Sequence, residues 1–175
     1  MELKIAENGV LLIDNAHIIY THFSGVADEY HREGERDFKL IIPSEEMADV
    51  LANDKNKDGV GWNVNVKPPR TEEDDPFFTM KVKLAFRDRI DGNGEKYTTG
   101  PNVYLLSGNK RKKLTKEDVG ILDDISIASV SMDVRPYDGF VQGKPFRSAW
   151  LNSMEVVQNI DRFEAKYAEE EFPEE

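Results

Sequence analysis

The chain of 175 residues contains no cysteine. This absence excludes disulfide bonds, thiol catalysis and cysteine-based zinc sites, and it is typical of proteins from a reducing compartment. Histidine is scarce too, with three residues at positions 17, 22 and 31. His17 and His22 are five residues apart and would lie on opposite faces of a strand, so we predict no metal site and no cofactor.

Long apolar runs are also missing. None approaches the roughly 20 residues that a membrane-spanning helix requires. Residues 1–9 lack the basic and apolar segments of an export signal. We therefore expect a cytoplasmic protein with no membrane partner.

The familiar signatures of catalysis are absent. The sequence contains no nucleophile elbow, no phosphate-cradling glycine loop and no dinucleotide-binding fingerprint. Residues 54–59 match the first half of a calcium-binding loop, but Asn65 stands where the bidentate glutamate belongs. Asp123 and Asp124 are adjacent and have no evident third partner for magnesium. We predict a protein that is not an enzyme, with a metal-dependent nuclease as an alternative hypothesis.

Acidic residues, in contrast, are in excess, and the formal net charge is −11. Residues 161–175 hold seven acids against Arg162 and Lys166, so this segment carries −5 and leaves −6 for residues 1–160. We predict a single β-barrel domain over residues 1–160 and an acidic, flexible tail over residues 161–175. Because the acids are segregated, the domain could still present a basic face to a polyanion.

Alternation of apolar and polar residues predicts mainly β structure, most clearly over residues 77–87. Lys81, Lys83 and Arg87 share the polar face of this strand, and neighbouring same-face residues are about 6.6 Å apart, close to the phosphate spacing of a nucleic acid strand. A solvated outer face is the alternative interpretation. Residues 10–23 predict a bent or interrupted strand, and Ser44 predicts the cap of a short helix.

Residues 125–160 form two strand-like runs around a predicted bend at Pro136 and the Asp138-Gly139 pair. In the second run, the even-numbered residues 146–158 form one alternating set. The bend and its flanks mix cations with rings, which suits a single nucleic acid strand because cations meet phosphates and rings stack on bases. The cations are Arg135, Lys144 and Arg147, and the rings are Tyr137, Phe140 and Trp150. Alternatively, the rings are core and the cations only solubilise.

A tight turn is predicted over residues 108–113, with four consecutive cations. Of these, Lys110, Arg111 and Lys112 are candidates for phosphate contact. A second short helix is predicted from Thr115 to about Leu122.

The order of several short motifs resembles that of phage-encoded single-stranded DNA-binding proteins, over roughly residues 10–160. The motifs are Gly61-Trp62-Asn63-Val64, Met80-Lys81-Val82-Lys83, Gly100-Pro101-Asn102-Val103-Tyr104-Leu105, Leu122-Asp123, Val134-Arg135-Pro136-Tyr137, Gly143-Lys144 and Ala149-Trp150-Leu151. Asp138-Gly139-Phe140 departs from the pattern, since an aromatic residue would be expected soon after the Arg-Pro-Tyr step.

This resemblance implies an oligonucleotide-binding fold, a five-stranded, partly open Greek-key β-barrel with one or two short helices that binds the strand across its face and loops. It implies a non-catalytic, largely sequence-independent single-stranded DNA-binding protein of phage DNA replication or recombination. The expected phosphate contacts are the nine cations named above, and the expected stacking residues are Trp62, Tyr137, Phe140 and Trp150. Trp62 and Trp150 could equally be core.

The acidic tail carries Phe172 near its tip. Such a tail can compete with DNA for a basic groove and can bind replication or recombination proteins through its ring. A solubilising terminus is the alternative. For the whole chain, the alternative function is a phage protein-interaction or inhibitor module with an acidic, DNA-mimicking surface, or a structural β-barrel protein. The sequence predicts no oligomeric state.

Overall fold

The computed structural model describes residues 1–67 and 77–160. These residues form a mainly β fold, as predicted, with one α-helix (α1, Glu45–Asn53) and one 3-10 helix (Val119–Asp123). The strands are β1 (Glu2–Ile5), β2 (Leu11–Ala16), β3 (Ile18–His22), β4 (Arg36–Ile42), β5 (Val64–Lys67), β6 (Phe77–Leu84), β7 (Arg87–Ile90), β8 (Lys96–Thr99), β9 (Asn102–Ser107), β10 (Lys110–Leu114), β11 (Ile127–Val141) and β12 (Lys144–Gln158).

Ten of the described strands form one sheet, whose main path runs β1-β2-β11-β12-β6-β4-β3. β5 pairs with β6. β9 pairs with β10 on one side and with residues 153–157 of β12 on the other. β7 and β8 form a separate hairpin. The path ends at β1 and β3, so the sheet is open over the described residues. The predicted five-stranded Greek-key closure is therefore not confirmed.

The predicted strand over residues 10–23 is interrupted, as expected. β2 and β3 are separated only by His17, and Asn15 and Tyr20 on either side adopt positive φ angles of 52° and 50°. β2 pairs with β11, whereas β3 pairs with β4. One continuous segment of chain therefore contacts both the β11 side and the β4 side of the sheet.

One hydrophobic core lies under the sheet. The strand predicted over residues 77–87 ends at Leu84, and Arg87 begins β7 in the separate hairpin. Within β6 the predicted alternation holds from Met80 onward, since Met80, Val82 and Leu84 are buried while Lys81 is exposed, but Thr79 is also buried. The helix begins as predicted, because the Ser44 side chain accepts a hydrogen bond from the Met47 N–H. It packs Leu51 into the same core.

The predicted bend at Asp138-Gly139 is wrong. β11 continues through Pro136 to Val141, and the turn lies at Gln142-Gly143, where both residues have positive φ (50° and 77°). Gly139 pairs with Phe146 across the hairpin, and a Cβ at Gly139 would lie 2.8 Å from the Phe146 ring. Gly139 therefore makes room for the Phe146 ring and does not form a turn.

The alternating set over residues 146–158 does not share one face. The register shifts between the Val134–Leu151 and Asp133–Ser153 pairs, which inserts Asn152 as a β-bulge. Leu151 and Met154 are both buried in consequence. Trp150 therefore lies on the outer face, opposite to the core.

The region around residues 108–122 also differs from the prediction. Only Gly108 and Asn109 make the turn, and Lys110–Leu114 is strand β10, paired with β9. The second helix is a 3-10 helix that begins at Val119, after a turn in which the Thr115 hydroxyl donates to Asp118. Among the described residues, no helix is long and apolar enough to cross a membrane.

Candidate nucleic-acid interface

A row of side chains crosses five strands on the outer face of the sheet. Arg135 of β11 pairs in register with Trp150 of β12, and Trp150 pairs with Lys83 of β6. The row continues from Lys83 to Asp37 of β4 and from Asp37 to His22 of β3. With strands about 4.8 Å apart, this row spans about 19 Å.

Two adjoining cavities lie along this row and share Ala85 and Trp150 as lining residues. The larger, of about 670 Å³, we call the Arg135 cavity. Its described lining consists of Ala85, Arg87, Gly100, Pro101, Arg135, Pro136, Tyr137, Trp150, Leu151 and Asn152. The lining holds two arginines and two rings and includes no carboxylate among the described residues. This composition suits a phosphate chain with bases stacked beside it.

The smaller cavity, of about 510 Å³, lies on the β6–β4 side of Trp150, and we call it the Lys83 cavity. Three cations, Arg36, Lys81 and Lys83, line it, but so do three acids, Glu33, Glu35 and Asp37. The Lys81 ammonium lies 3.4 Å from Asp37. Its charges are therefore balanced, and it is a weaker anion site than the Arg135 cavity. The two cavities together are named the Trp150 groove.

Trp150 is half-buried between the two cavities. The Lys83 ammonium lies 5.9 Å from the centre of its ring, a cation–π contact. The bulge beside it is fixed by Asp133, whose carboxylate accepts hydrogen bonds from the Asn152 amide and the Ser153 hydroxyl. The bulge thus sets the direction in which the indole points.

The end of the β11–β12 hairpin extends beyond the groove. Tyr137 is 59% exposed, and its ring lies 6.1 Å from that of Phe146. Phe140 is 61% exposed but lies three residues further along the strand, on the opposite face from Tyr137. Lys144 follows the turn and shares its face with Phe146. The structure therefore brings Tyr137 to the groove, and it does not bring Phe140 there.

Trp62 and Arg147, two further predicted site residues, are packed inside the protein. Trp62 is 3% exposed, and its indole N–H donates to Asp54 (2.9 Å). The Arg147 side chain is 7% exposed, stacks 5.1 Å from the Trp62 ring and donates to Asp138 (2.7 Å). Gly61 permits this packing, since a Cβ there would lie 2.1 Å from the Ala52 carbonyl oxygen. Neither side chain is available to DNA.

The buried arginine also sets the charge state of its partner. The hydrogen bond from Arg147 holds the pKa of Asp138 below its usual value, although partial burial acts in the opposite direction. Arg147 also donates to the Asp54 carbonyl (2.8 Å), which connects the hairpin to the end of α1. This arginine is a structural residue.

The cations of β10 lie apart from the groove. Arg111 stacks 3.9 Å from the ring of Tyr104 and forms an ion pair with Glu155 (2.8 Å). None of Lys110, Arg111 and Lys112 is among the described residues that line the two cavities.

A second cluster of cations, not predicted from the sequence, surrounds the ring of Tyr20. Tyr20 of β3 is 63% exposed, with the Lys39 ammonium 5.9 Å and the Lys67 ammonium 5.0 Å from its ring. Lys39 pairs with Lys81 in register and so extends the outer face beyond the groove. Tyr20 is turned outward by its positive φ, a feature for which the sequence gives no local signal.

Arg36 was not predicted from the sequence either. It is 8% exposed and lines the Lys83 cavity, and its guanidinium donates to the Phe23 carbonyl (2.9 Å) and lies 5.2 Å from the Phe86 ring. Burial lowers its pKa. Phe172 and the acidic tail lie outside the described residues.

Comparison with known proteins gives a consistent family. The model of the family described as "Putative phage ssDNA-binding domain" matches residues 3–175. No curated protein sequence matches the chain.

Solved structures of phage proteins resemble the fold. One is the single-stranded DNA-binding protein from bacteriophage Enc34 with a C-terminal truncation, at 15% identity, 90% coverage of each chain and a TM-score of 0.52. A second structure of the Enc34 protein has 16% identity, 93% coverage of each chain and a TM-score of 0.50. At these identities the likeness concerns the fold alone.

Proposed function

The chain belongs to the phage single-stranded DNA-binding domain family, and from this membership we propose that it binds single-stranded DNA in the Trp150 groove, without catalysis and with little sequence preference. Cations would meet the phosphates, while Tyr137 and Trp150 would stack on bases. The replication or recombination of phage DNA, in the cytoplasm of the host, is the process in which we place it.

The Arg135 cavity is the observation that carries the proposal. In a chain of net charge −11, this cavity places Arg87 and Arg135 beside two rings with no carboxylate in the described lining. At physiological ionic strength, salt screens the repulsion between DNA and acidic residues more than about 8 Å away. The charges that line the cavity therefore decide whether DNA binds there. The proposed phosphate contacts are Arg87 and Arg135 of this cavity, together with Lys81 and Lys83 of the adjoining, weaker Lys83 cavity.

We further propose that the sheet is a variant of the oligonucleotide-binding barrel. Support comes from the segment of residues 11–22, which pairs with β11 through β2 and with β4 through β3. This segment would complete a circuit of five strands with β4, β6, β12 and β11. Barrels of this type bind oligonucleotides across strands 2 and 3 and the loops beside them, which here correspond to β4, β6 and the hairpin end.

The acidic tail has its own place in the proposal. It would compete with DNA for the groove and bind a replication or recombination protein through Phe172. Deleting residues 161–175 should then strengthen oligothymidine binding and reduce its salt dependence. Unchanged affinity and unchanged partner binding would leave only a solubilising role.

The test is a titration of the protein with oligothymidine and with duplex DNA at two salt concentrations. We expect single-strand preference, affinity that falls with salt, and quenching of tryptophan fluorescence. Trp150→Phe should abolish the quenching, while Trp62→Phe should keep it, because Trp62 is buried. Equal affinity for duplex, or quenching that survives Trp150→Phe, would contradict the proposed site.

Charge variants provide the matched comparison. Arg135→Gln should reduce the slope of log affinity against log salt by about 0.7, the value for one phosphate contact on a single strand. Lys57→Gln removes the same charge from an exposed turn that lines neither cavity, and its slope should remain that of the unaltered protein. Equal slopes for both variants would show that binding does not use the groove.

A further inference from the structure

Two histidines and an aspartate converge in the loop between β3 and β4. The rings of His22 and His31 are stacked, with their centres 3.9 Å apart and their planes at 7°. The Nδ1 atoms of both rings face the Asp28 carboxylate, at 3.5 Å from His22 and 2.9 Å from His31. One ligand atom from each of the three residues lies within 4.8 Å of the other two.

The opposite nitrogen of each ring has a partner of its own. His31 Nε2 lies 3.1 Å from the Asp37 carboxylate, and His22 Nε2 lies 2.8 Å from the Val26 carbonyl oxygen. Both partners are acceptors, so both Nε2 atoms carry hydrogen and donate. Neutral rings in this state have a lone pair on Nδ1. Each Nδ1 faces the Asp28 carboxylate, and either a proton on the ring, as in the 2.9 Å hydrogen bond between His31 and Asp28, or a metal ion can lie between them.

This pattern is the one that metal-binding histidines adopt. Such rings almost always donate their second nitrogen to a carboxylate or a backbone carbonyl, which fixes the tautomer and directs the other nitrogen at the metal. For zinc ligands at about 2.0–2.2 Å in tetrahedral geometry, neighbouring ligand atoms are about 3.3 Å apart. The observed distances of 2.9 and 3.5 Å lie on either side of this value.

The loop is built to hold these groups in place. The Asp28 carboxylate accepts from the backbone N–H groups of Tyr30 (2.8 Å) and His31 (2.7 Å). The histidine side chains are 13% and 18% exposed, whereas that of Asp28 is 43% exposed, which leaves a path for an ion from solvent. The three ligand atoms are therefore close together before any ion arrives, and the stacked rings must tilt apart for both Nδ1 lone pairs to point at one ion.

We propose that His22 Nδ1, His31 Nδ1 and the Asp28 carboxylate bind one Zn²⁺ ion per chain, with a fourth position open to water. Imidazole nitrogen favours zinc and its transition-metal neighbours over magnesium and calcium, which prefer oxygen. Asp37 supports the site by orienting His31. None of the three ligands lines the Trp150 groove among the described residues, but the site adjoins the groove, since Asp37 lines the Lys83 cavity and pairs in register with His22.

The experiment is calorimetric titration of ZnCl₂ into the full chain, carrying no affinity tag and cleared of metal with a chelator. We expect saturation at one ion per chain, unaffected by excess Mg²⁺. His22→Gln and His31→Gln should each weaken binding by more than tenfold, and Asp37→Asn by about tenfold to a hundredfold, as second-sphere changes do. His17→Gln is the matched control, since the exposed His17 lies outside the cluster, and it should bind as the unaltered chain does.

Three results would overturn the site: no saturable binding, binding that survives both cluster variants, or equal loss in His17→Gln. Circular dichroism checks that each variant folds. A measurement on the unaltered chain is independent of the variants. On adding Zn²⁺, NMR signals of two histidine rings should shift while those of the third stay. Shifts in all three rings or in none would contradict the proposal.

Discussion

At the scale of single residues, the main result is that two arginines of the same hairpin have different tasks. Arg135 lines an open cavity, whereas Arg147 is buried against Trp62 and bound to Asp138. The two positions follow from strand alternation, which places the Arg135 and Arg147 side chains on opposite faces of the sheet. Charge alone does not distinguish them; burial does.

Replacing Arg147 by methionine should destabilise the fold by about 1.5–3 kcal/mol, because it removes the charged hydrogen bonds to Asp138 and the Asp54 carbonyl, while the two carboxylates left behind are partly exposed. Urea unfolding followed by circular dichroism measures this change. Arg135→Gln is the control and should change the free energy of unfolding by less than about 0.5 kcal/mol, as surface substitutions do. Similar losses in both variants would contradict the assignment.

The pair of Asp138 and Arg147 also predicts a pH dependence. The hydrogen bond from Arg147 holds the folded-state pKa of Asp138 below its ordinary value, so the stabilising effect of the pair is fully present above that ordinary value. The effect is lost as pH falls through the lower, folded-state pKa. Asp138→Asn should therefore be less stable than the unaltered chain near neutral pH, with the difference shrinking below about pH 4. A difference that grows in acid would contradict the pairing.

The two exposed rings near the hairpin end give a matched test of DNA contact. Tyr137→Ala should reduce the free energy of oligothymidine binding by about 1–3 kcal/mol, the usual contribution of one stacked base. Phe140→Ala removes a ring of similar exposure from the opposite face and should leave the affinity within about threefold, since it loses no stacked base. Fluorescence anisotropy of a labelled oligonucleotide measures both. A larger loss for Phe140→Ala would place DNA on the other face.

At the scale of elements, the β11–β12 hairpin turns where its sequence is not ideal. Gln142 and Gly143 both have positive φ, the geometry of a two-residue turn that favours Asn-Gly. Gln142→Asn should stabilise the protein by about 0.5 kcal/mol or more, because asparagine adopts this conformation readily. Gly143→Ala should destabilise it by about 1 kcal/mol. Thermal unfolding gives both values, and no gain from asparagine would argue against this turn.

Elements with local signals could be predicted from the sequence. The capped helix α1 and the alternating strand β6 depend on neighbours in the chain. The helix begins where expected, and β6 covers residues 77–84 of the strand predicted over residues 77–87. The bulge at Asn152 depends on how β12 pairs with β11, so the outward direction of Trp150 could not be predicted. Trp62 was ambiguous for the same reason, since its burial depends on Arg147 from a distant strand.

At the scale of the whole molecule, the family and the mainly β fold were predictable because motif order and alternation extend over the chain. The candidate site was predictable in part. Lys81, Lys83, Arg87 and Arg135 meet around Trp150, but the β10 cations lie elsewhere. The distance between these cations and Trp150 could not be predicted from the sequence, because the order of the strands in the sheet differs from their order in the chain.

The long hairpin has a consequence for how the protein folds. Its strands are joined by a two-residue turn and pair from Val141–Lys144 to Ile127–Gln158. Hairpins form in about 1–10 μs, whereas β2 must close a loop of over a hundred residues to pair Leu11 with Val134. Val156→Ala should therefore slow refolding, while Ile13→Val should mainly speed unfolding, as chevron plots would show. If so, a nascent chain cannot nucleate until residues 127–158 have left the ribosome, and the strands made earlier must wait for it.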